Sequence, residues 1–112
     1  MQKILLLVED EAIVRFYMNI IVSNYDYKPI LGKDGKEGVE LFQKYGADLI
    51  ITDIYMDKYD GYYFIKEIRK IDKKVPIYTL SAMNCNIDGV QGHIRKPIDL
   101  NFIENLLKNH NP

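Results

Sequence analysis

Apolar and polar positions alternate along this chain in two rhythms. Short runs with strand character occupy Lys3–Val8, Tyr27–Leu31, Asp48–Thr52, Val75–Leu80 and, more weakly, Gly92–Arg95. The third and fourth are apolar at successive positions, as expected of strands covered on both faces. The segments between them repeat with helical spacing. Val14, Tyr17, Met18 and Ile21 predict an inward stripe on a helix over about 11–24. Val39, Phe42 and Tyr45 predict another over 35–45, entered at Asp34-Gly35. Phe64, Ile65, Ile68 and Ile71 line a third helix, and Leu100, Ile103, Leu106 and Leu107 a last one. Asp60 and Asp99 stand where a carboxylate can cap these two, accepting the free N–H groups of the first turn.

Strands alternating with helices imply right-handed βαβ units. The predicted fold class is therefore α/β, a doubly wound five-stranded parallel sheet with helices on both faces. One connection breaks the rhythm. From Ser81 to Lys96 there are fifteen steps, and the segment holds two glycines and three Asn or Asp residues. Little there can propagate a helix, so at most one helical turn is expected and the helix before the fifth strand is shortened or absent.

Composition narrows the function classes. A length of 112 residues is one domain, 1–112, with no room for a second folded or output unit. Fifteen Lys plus Arg against sixteen Asp plus Glu give a net charge of −1, which offers no footprint for nucleic acid or anionic lipid. The apolar start stops at Glu9-Asp10, too soon for a signal peptide or membrane span. Cys85 is the only cysteine, so no internal disulfide or cysteine-built zinc site can form. Cytoplasm is the expected location.

Ligands of open α/β sheets bind at the carboxyl ends of the strands. Glu9-Asp10 follow the first predicted strand, Asp53 ends the third, Ser81 the fourth and Lys96 the fifth. Singly, each is an ordinary solvated loop residue; together at one edge they are informative. Carboxylates crowded within a few ångströms repel by about 4 kcal/mol per close pair at an effective dielectric near 20. A divalent cation and a fixed ammonium would offset that. Mg²⁺ takes hard oxygens and suits Asp10 and Asp53, with Glu9 direct or through water. Lys96 supplies further positive charge and Ser81 a hydroxyl donor, which is close to the kit phosphoryl transfer needs.

The acidic pair, the segment Asp53-Ile54-Tyr55-Met56-Asp57-Lys58-Tyr59-Asp60-Gly61, Leu80-Ser81-Ala82 and Lys96-Pro97 together resemble the response-regulator receiver domain of two-component signalling. The similarity spans essentially the whole chain. It implies a CheY-like, flavodoxin-like fold and a receiver rather than an enzyme with a separate substrate, and the one-domain length makes a stand-alone receiver the expectation. It also implies that Asp53 accepts a phosphoryl group from a sensor histidine kinase or phosphotransfer protein, in a Mg²⁺-dependent reaction. By the same resemblance Glu9, Asp10, Asp53 and the backbone carbonyl of Tyr55 hold the metal, and Lys96 and Ser81 contact the phosphoryl group. Ser81 and His93 take the switch positions, His93 standing where the family usually has Tyr or Phe. Pro97 follows in what is often a cis peptide. The downstream partner is an unidentified protein.

Some positions depart from the family pattern. Asp57 replaces a common proline, which suggests a more mobile loop after Asp53. Tyr55 and Met83, each two residues past a site residue, are bulky enough to hinder an attacking water; alternatively Tyr55, Tyr59, Tyr62 and Tyr63 form only a half-exposed aromatic rim. His93 could confer pH sensitivity or be a satisfied strand residue. Cys85 reads as a small loop residue. The main alternative function is a receiver-like adaptor that needs no phosphate, against which stands the joint presence of Glu9, Asp10, Asp53, Ser81 and Lys96. An aspartyl-phosphate phosphohydrolase would carry a second carboxylate where Tyr55 stands. An EF-hand loop would need a ligand in place of Met56, and Glu9-Asp10-Glu11 would repel a flavin phosphate.

Overall fold

The computed structural model describes residues 2–83 and 86–110. Cys85, and the loop role expected for it, lie outside them. In chain order the elements are β1 (Lys3–Val8), α1 (Ala12–Ser23), β2 (Tyr27–Gly32), α2 (Gly35–Tyr45) and β3 (Leu49–Asp53). They continue with α3 (Gly61–Ile71), β4 (Ile77–Ser81), β5 (Gly92–Arg95) and α4 (Leu100–Asn109). All strand pairs are parallel, in the order β2-β1-β3-β4-β5. The doubly wound α/β architecture is as expected.

The continuous apolar runs follow from two covered faces. Leu5 and Leu7 of β1, with Leu49 and Ile51 of β3, meet Met18, Ile21 and Val22 of α1 and Ile103, Leu106 and Leu107 of α4. Leu6 and Val8, with Ile50, point the other way onto Phe42 of α2 and Phe64, Ile65 and Ile68 of α3. Successive strand side chains alternate faces, so every position of β3 is buried. The two expected Asp caps form, Asp60 accepting Tyr63 N–H and Asp99 accepting Asn101 and Phe102 N–H, and Asp34 caps α2 as well by accepting Glu37 N–H.

Four residues assigned to inward stripes are instead exposed: Tyr17, Tyr45, Ile71 and Leu100. Tyr45 and Ile71 are the last residues of their helices and Leu100 the first, where fewer neighbours surround a side chain. Tyr17 is displaced because α1 turns Met18, Ile21 and Val22 onto the sheet.

Among the described residues, no helix lies between β4 and β5. A side-chain clasp holds the connection instead. Arg69 of α3 donates from Nε and Nη2 to Gly89 O, at 2.9 and 2.6 Å. Gln91 accepts Ile77 N–H on its amide oxygen at 2.6 Å and donates its own N–H to Ile77 O at 2.8 Å. Ile87 and Val90 pack against the α2–α3 side of the core, covering part of what a helix would cover. Gly89 supports the turn at φ +85°, a left-handed conformation that suits glycine.

Tyr27 is 1% exposed, yet its hydroxyl has no hydrogen-bond partner among the described residues. Deleting a buried group that makes no bond removes a desolvation cost rather than an interaction. Tyr27→Phe is expected to match or exceed the parent stability, by up to about 1 kcal/mol in denaturant unfolding. A loss larger than that would mean the hydroxyl is bonded to water.

Candidate functional site

The sheet register builds the site. Val8 pairs with Thr52, so Glu9, the next residue, comes beside Asp53. Asp53 pairs with Leu80, and Ser81 with Arg95, so Ser81 and Lys96 follow one step beyond. Lys96 N–H donates to Ser81 O at 2.9 Å, continuing the ladder past β5. Each functional side chain thus leaves the sheet at its carboxyl edge. The result is an open hollow of about 480 Å³ lined by Asp10, Glu11, Asp53, Tyr55, Ser81, Ala82, Met83 and Lys96.

Asp53 is only 4% exposed. Its Oδ1 accepts Ile54 N–H at 2.8 Å, and its Oδ2 accepts from Lys96 Nζ at 3.1 Å. Gly61 lets α3 start against it: a Cβ at Gly61 would come 2.4 Å from Asp53 O and 2.6 Å from Ile54 Cα. No larger residue fits there without moving the backbone that carries the carboxylate.

Glu9 is fully buried, and burial is the largest influence on its carboxyl, pushing it up to about 7. The Glu11 N–H and the Lys96 ammonium pull it down, while Asp53 and Asp10 push it further up. Lys96 stands 3.0 Å from Glu9 Oε1 and 3.6 Å from Glu11 Oε1. Burial alone would depress its ammonium, but the bonds to Glu9 and Asp53 outweigh that and raise it to about 12. One cation therefore serves three carboxylates.

Ser81 is buried and its Oγ accepts Met83 N–H at 3.1 Å, which engages a lone pair and not the hydroxyl proton. Tyr55 is half exposed on the wall, edge-on to Tyr62. The Lys96–Pro97 peptide is cis. His93 is not brought to the hollow. It pairs with Thr79 in the strand register, its Nδ1 2.6 Å from Thr79 Oγ1. Two contacts were not anticipated from sequence. Glu11 reaches the site ammonium, and Arg15 Nη1 donates to Glu9 O at 2.6 Å. Their only signal in the sequence is position, within the first helical turns after the acidic pair.

Glu9, Asp10 and Asp53 each offer an oxygen within 4.8 Å of the others, the one such acidic or His/Cys grouping among the described residues. The donors are all hard oxygens, the type that Mg²⁺, Ca²⁺ or Mn²⁺ takes. Glu9 Oε1 is buried with, among the described residues, only the Lys96 ammonium against it, at 3.0 Å, so it keeps a lone pair for a metal or its water. The residues fit a divalent cation.

Residues 5–108 match the family model described as the response regulator receiver domain. A curated relative, the probable transcriptional regulator ycf29 of Porphyra purpurea, is 32% identical over 94% of this chain and 54% of its own length. The chain spans about half or less of the curated relatives it matches. Among solved structures, the chemotaxis protein CheY4 of Vibrio cholerae superposes with a TM-score of 0.90 at 23% identity, covering 99% of this chain and 100% of that one. The receiver domain of the sensor histidine kinase PA1611 of Pseudomonas aeruginosa gives 0.87 at 24%, covering 97% of each; its description places a magnesium ion in the active-site cleft. At these identities the likeness of structure is one of fold.

Because the fold raises the Glu9 carboxyl from 4.5 to about 7, the metal-free native state holds a proton there that the unfolded chain releases. The stabilisation is complete below the unfolded value and is lost as pH rises through the folded one. With a chelator present, the thermal midpoint is expected to fall between about pH 5 and about pH 8, and Glu9→Gln to flatten that fall. Parallel parent and variant profiles would refute this account.

Proposed function

The chain belongs to the response regulator receiver family, and on that premise we propose that Asp53 accepts a phosphoryl group from a sensor histidine kinase or a phosphotransfer protein. The observation that carries the reading is Asp53 itself. It is a nearly buried carboxylate, anchored by Ile54 N–H on one oxygen and the Lys96 ammonium on the other, facing an open acidic hollow.

In the transfer, one carboxylate oxygen of Asp53 attacks the phosphorus of a donor phosphoimidazole. An O–P bond forms as the P–N bond breaks, and the electron pair leaves on the imidazole. The chemistry asks mainly for alignment and charge neutralisation. Ile54 N–H fixes the carboxylate rotamer. Lys96 lies within reach of both Asp53 and the space above it, so its charge offsets that of the incoming phosphoryl oxygens. Ser81 retains its proton and can donate to one of them. Mg²⁺, held by Glu9, Asp10, Asp53 and the Tyr55 carbonyl, would supply the remaining positive charge that lets an anionic donor approach three carboxylates.

The acyl phosphate adds negative charge and acceptor oxygens beside Ser81. Drawing the Ser81 hydroxyl toward them loosens its bond to Met83 N–H, so the start of the β4–β5 connection is the first segment to respond. His93, held by Thr79 on the neighbouring strand, is the second switch position. The signal is read by a protein partner. The transcriptional role in the relative's name belongs to a longer protein. A net charge of −1 gives these residues no overall electrostatic attraction for nucleic acid.

Incubation with Mg²⁺ and a small phosphodonor such as acetyl phosphate is expected to give a phosphate adduct by intact mass, absent in Asp53→Asn. No adduct, together with no response to beryllofluoride, would turn the reading toward a phosphate-independent adaptor.

Tyr55 and Met83 narrow the approach of water to the acyl phosphate. Tyr55→Ala and Met83→Ala are expected to shorten the phosphorylated lifetime several-fold, measured by loss of the adduct after donor removal. Unchanged lifetimes would leave Tyr55 as aromatic rim only.

A further inference from the structure

Among the described residues all four helices begin at an acidic N-cap, and three of these residues serve their own helix. Asp34, Asp60 and Asp99 accept N–H groups of the first turn, as an N-cap carboxylate ordinarily does. Glu11, at the same position on α1, makes no such bond. Its side chain lines the phosphoacceptor hollow instead, with Oε1 3.6 Å from Lys96 Nζ. The backbone is held for that reach. Glu11 N–H donates to Glu9 Oε2 at 2.9 Å, and Glu11 O accepts Arg15 N–H at 3.1 Å. The Glu11 side chain is 60% exposed, whereas Glu9 and Asp53 are buried. Glu11 thus places a carboxylate at the mouth of the site.

Taking Asp53 as the phosphoacceptor, we infer that Glu11 is a specificity-determining residue. It favours phosphodonors whose leaving atom is cationic over acyl phosphates. Charge balance leads to this assignment. A dication together with Lys96 would balance Glu9, Asp10 and Asp53, the three grouped carboxylates. Glu11 is the charge left over. In-line displacement sets the leaving atom opposite the attacking Asp53 oxygen, which is the open side of the hollow where Glu11 stands. A protonated nitrogen on that side is attracted to the Glu11 carboxylate. When Asp53 forms its O–P bond and the P–N bond breaks, the electron pair stays on nitrogen, and a protonated phosphoramidate releases a neutral amine. An acyl phosphate instead releases a carboxylate, so Glu11 repels its anion on arrival and its leaving group on departure.

Distance and screening set the size of the effect. Glu11 is separated from the attacking carboxylate by a single ammonium, well inside the Debye length of ~10 Å at 0.1 M salt. Across such a gap in a largely aqueous medium, one charge changes a rate by about threefold. Salt screens an exposed carboxylate, so the discrimination is strongest at low ionic strength.

The test compares two small donors. Acetyl phosphate is a dianion at neutral pH, and phosphoramidate carries a protonated nitrogen there, so its net charge is smaller by one. Initial rates of adduct formation are read by intact mass at saturating Mg²⁺ for the parent, Glu11→Gln and Glu11→Asp. In about 20 mM salt, Glu11→Gln is expected to raise the acetyl phosphate rate relative to the phosphoramidate rate by about threefold. Near about 500 mM salt the parent and Glu11→Gln ratios are expected to converge. Glu11→Asp, which keeps the charge, is expected to keep the parent ratio. An unchanged ratio in Glu11→Gln overturns the inference. Equal falls with both donors also overturn it and leave Glu11 as a residue that only positions Lys96. A changed ratio that ignores salt overturns it too, since a contact other than charge would then be at work. A parent that takes phosphate from neither donor removes Asp53 as the phosphoacceptor and this inference with it, a result distinct from the other three.

Discussion

The contact on which the site depends is that between the Lys96 ammonium and the carboxylates around it. Asp53 lies 3.1 Å away, Glu9 3.0 Å and Glu11 3.6 Å. Without this cation, a buried Glu9 beside a nearly buried Asp53 would be an uncompensated pair of like charges. With it, the cluster still carries excess negative charge. The protein resolves the remainder by letting Glu9 hold its proton to about pH 7. A bound dication and that proton are alternative answers to the same repulsion, so metal affinity and pH are coupled there.

The sheet makes that contact available. Four side chains at four strand ends meet because the parallel register sets Glu9 level with Asp53 and then advances by one residue to Ser81 and by one more to Lys96. Helices on both faces fix the register, since a one-residue slip would turn Leu5 and Leu7 to the wrong side of β1. Gly61 adds a local constraint, allowing α3 to begin against the Asp53 backbone. Core packing and site geometry are in this sense one problem.

Among the described residues the β4–β5 connection has a two-part clasp in place of a helix. Arg69 closes on Gly89, Gln91 closes on Ile77, and Ile87 and Val90 cover part of the sheet.

Residue order alone determined the class of fold and which acidic, hydroxyl and lysine residues stand at the carboxyl edge of the sheet. The period-two and period-3.6 rhythms are local properties, and Glu9, Asp10, Asp53, Ser81 and Lys96 each follow an apolar run, which places them at strand ends whatever the register. The Asp60 and Asp99 caps were legible for the same reason, because a cap acts on its own helix. What the fold alone decided involves distance between segments far apart in sequence. Glu11 and Arg15 join the site through contacts that no spacing rule encodes, and His93 turns to Thr79 across a strand pair rather than into the hollow. Tyr17, Tyr45, Ile71 and Leu100 are apolar residues at helical spacing that nonetheless face outward. Periodicity names a stripe, but only packed neighbours decide where the stripe stops.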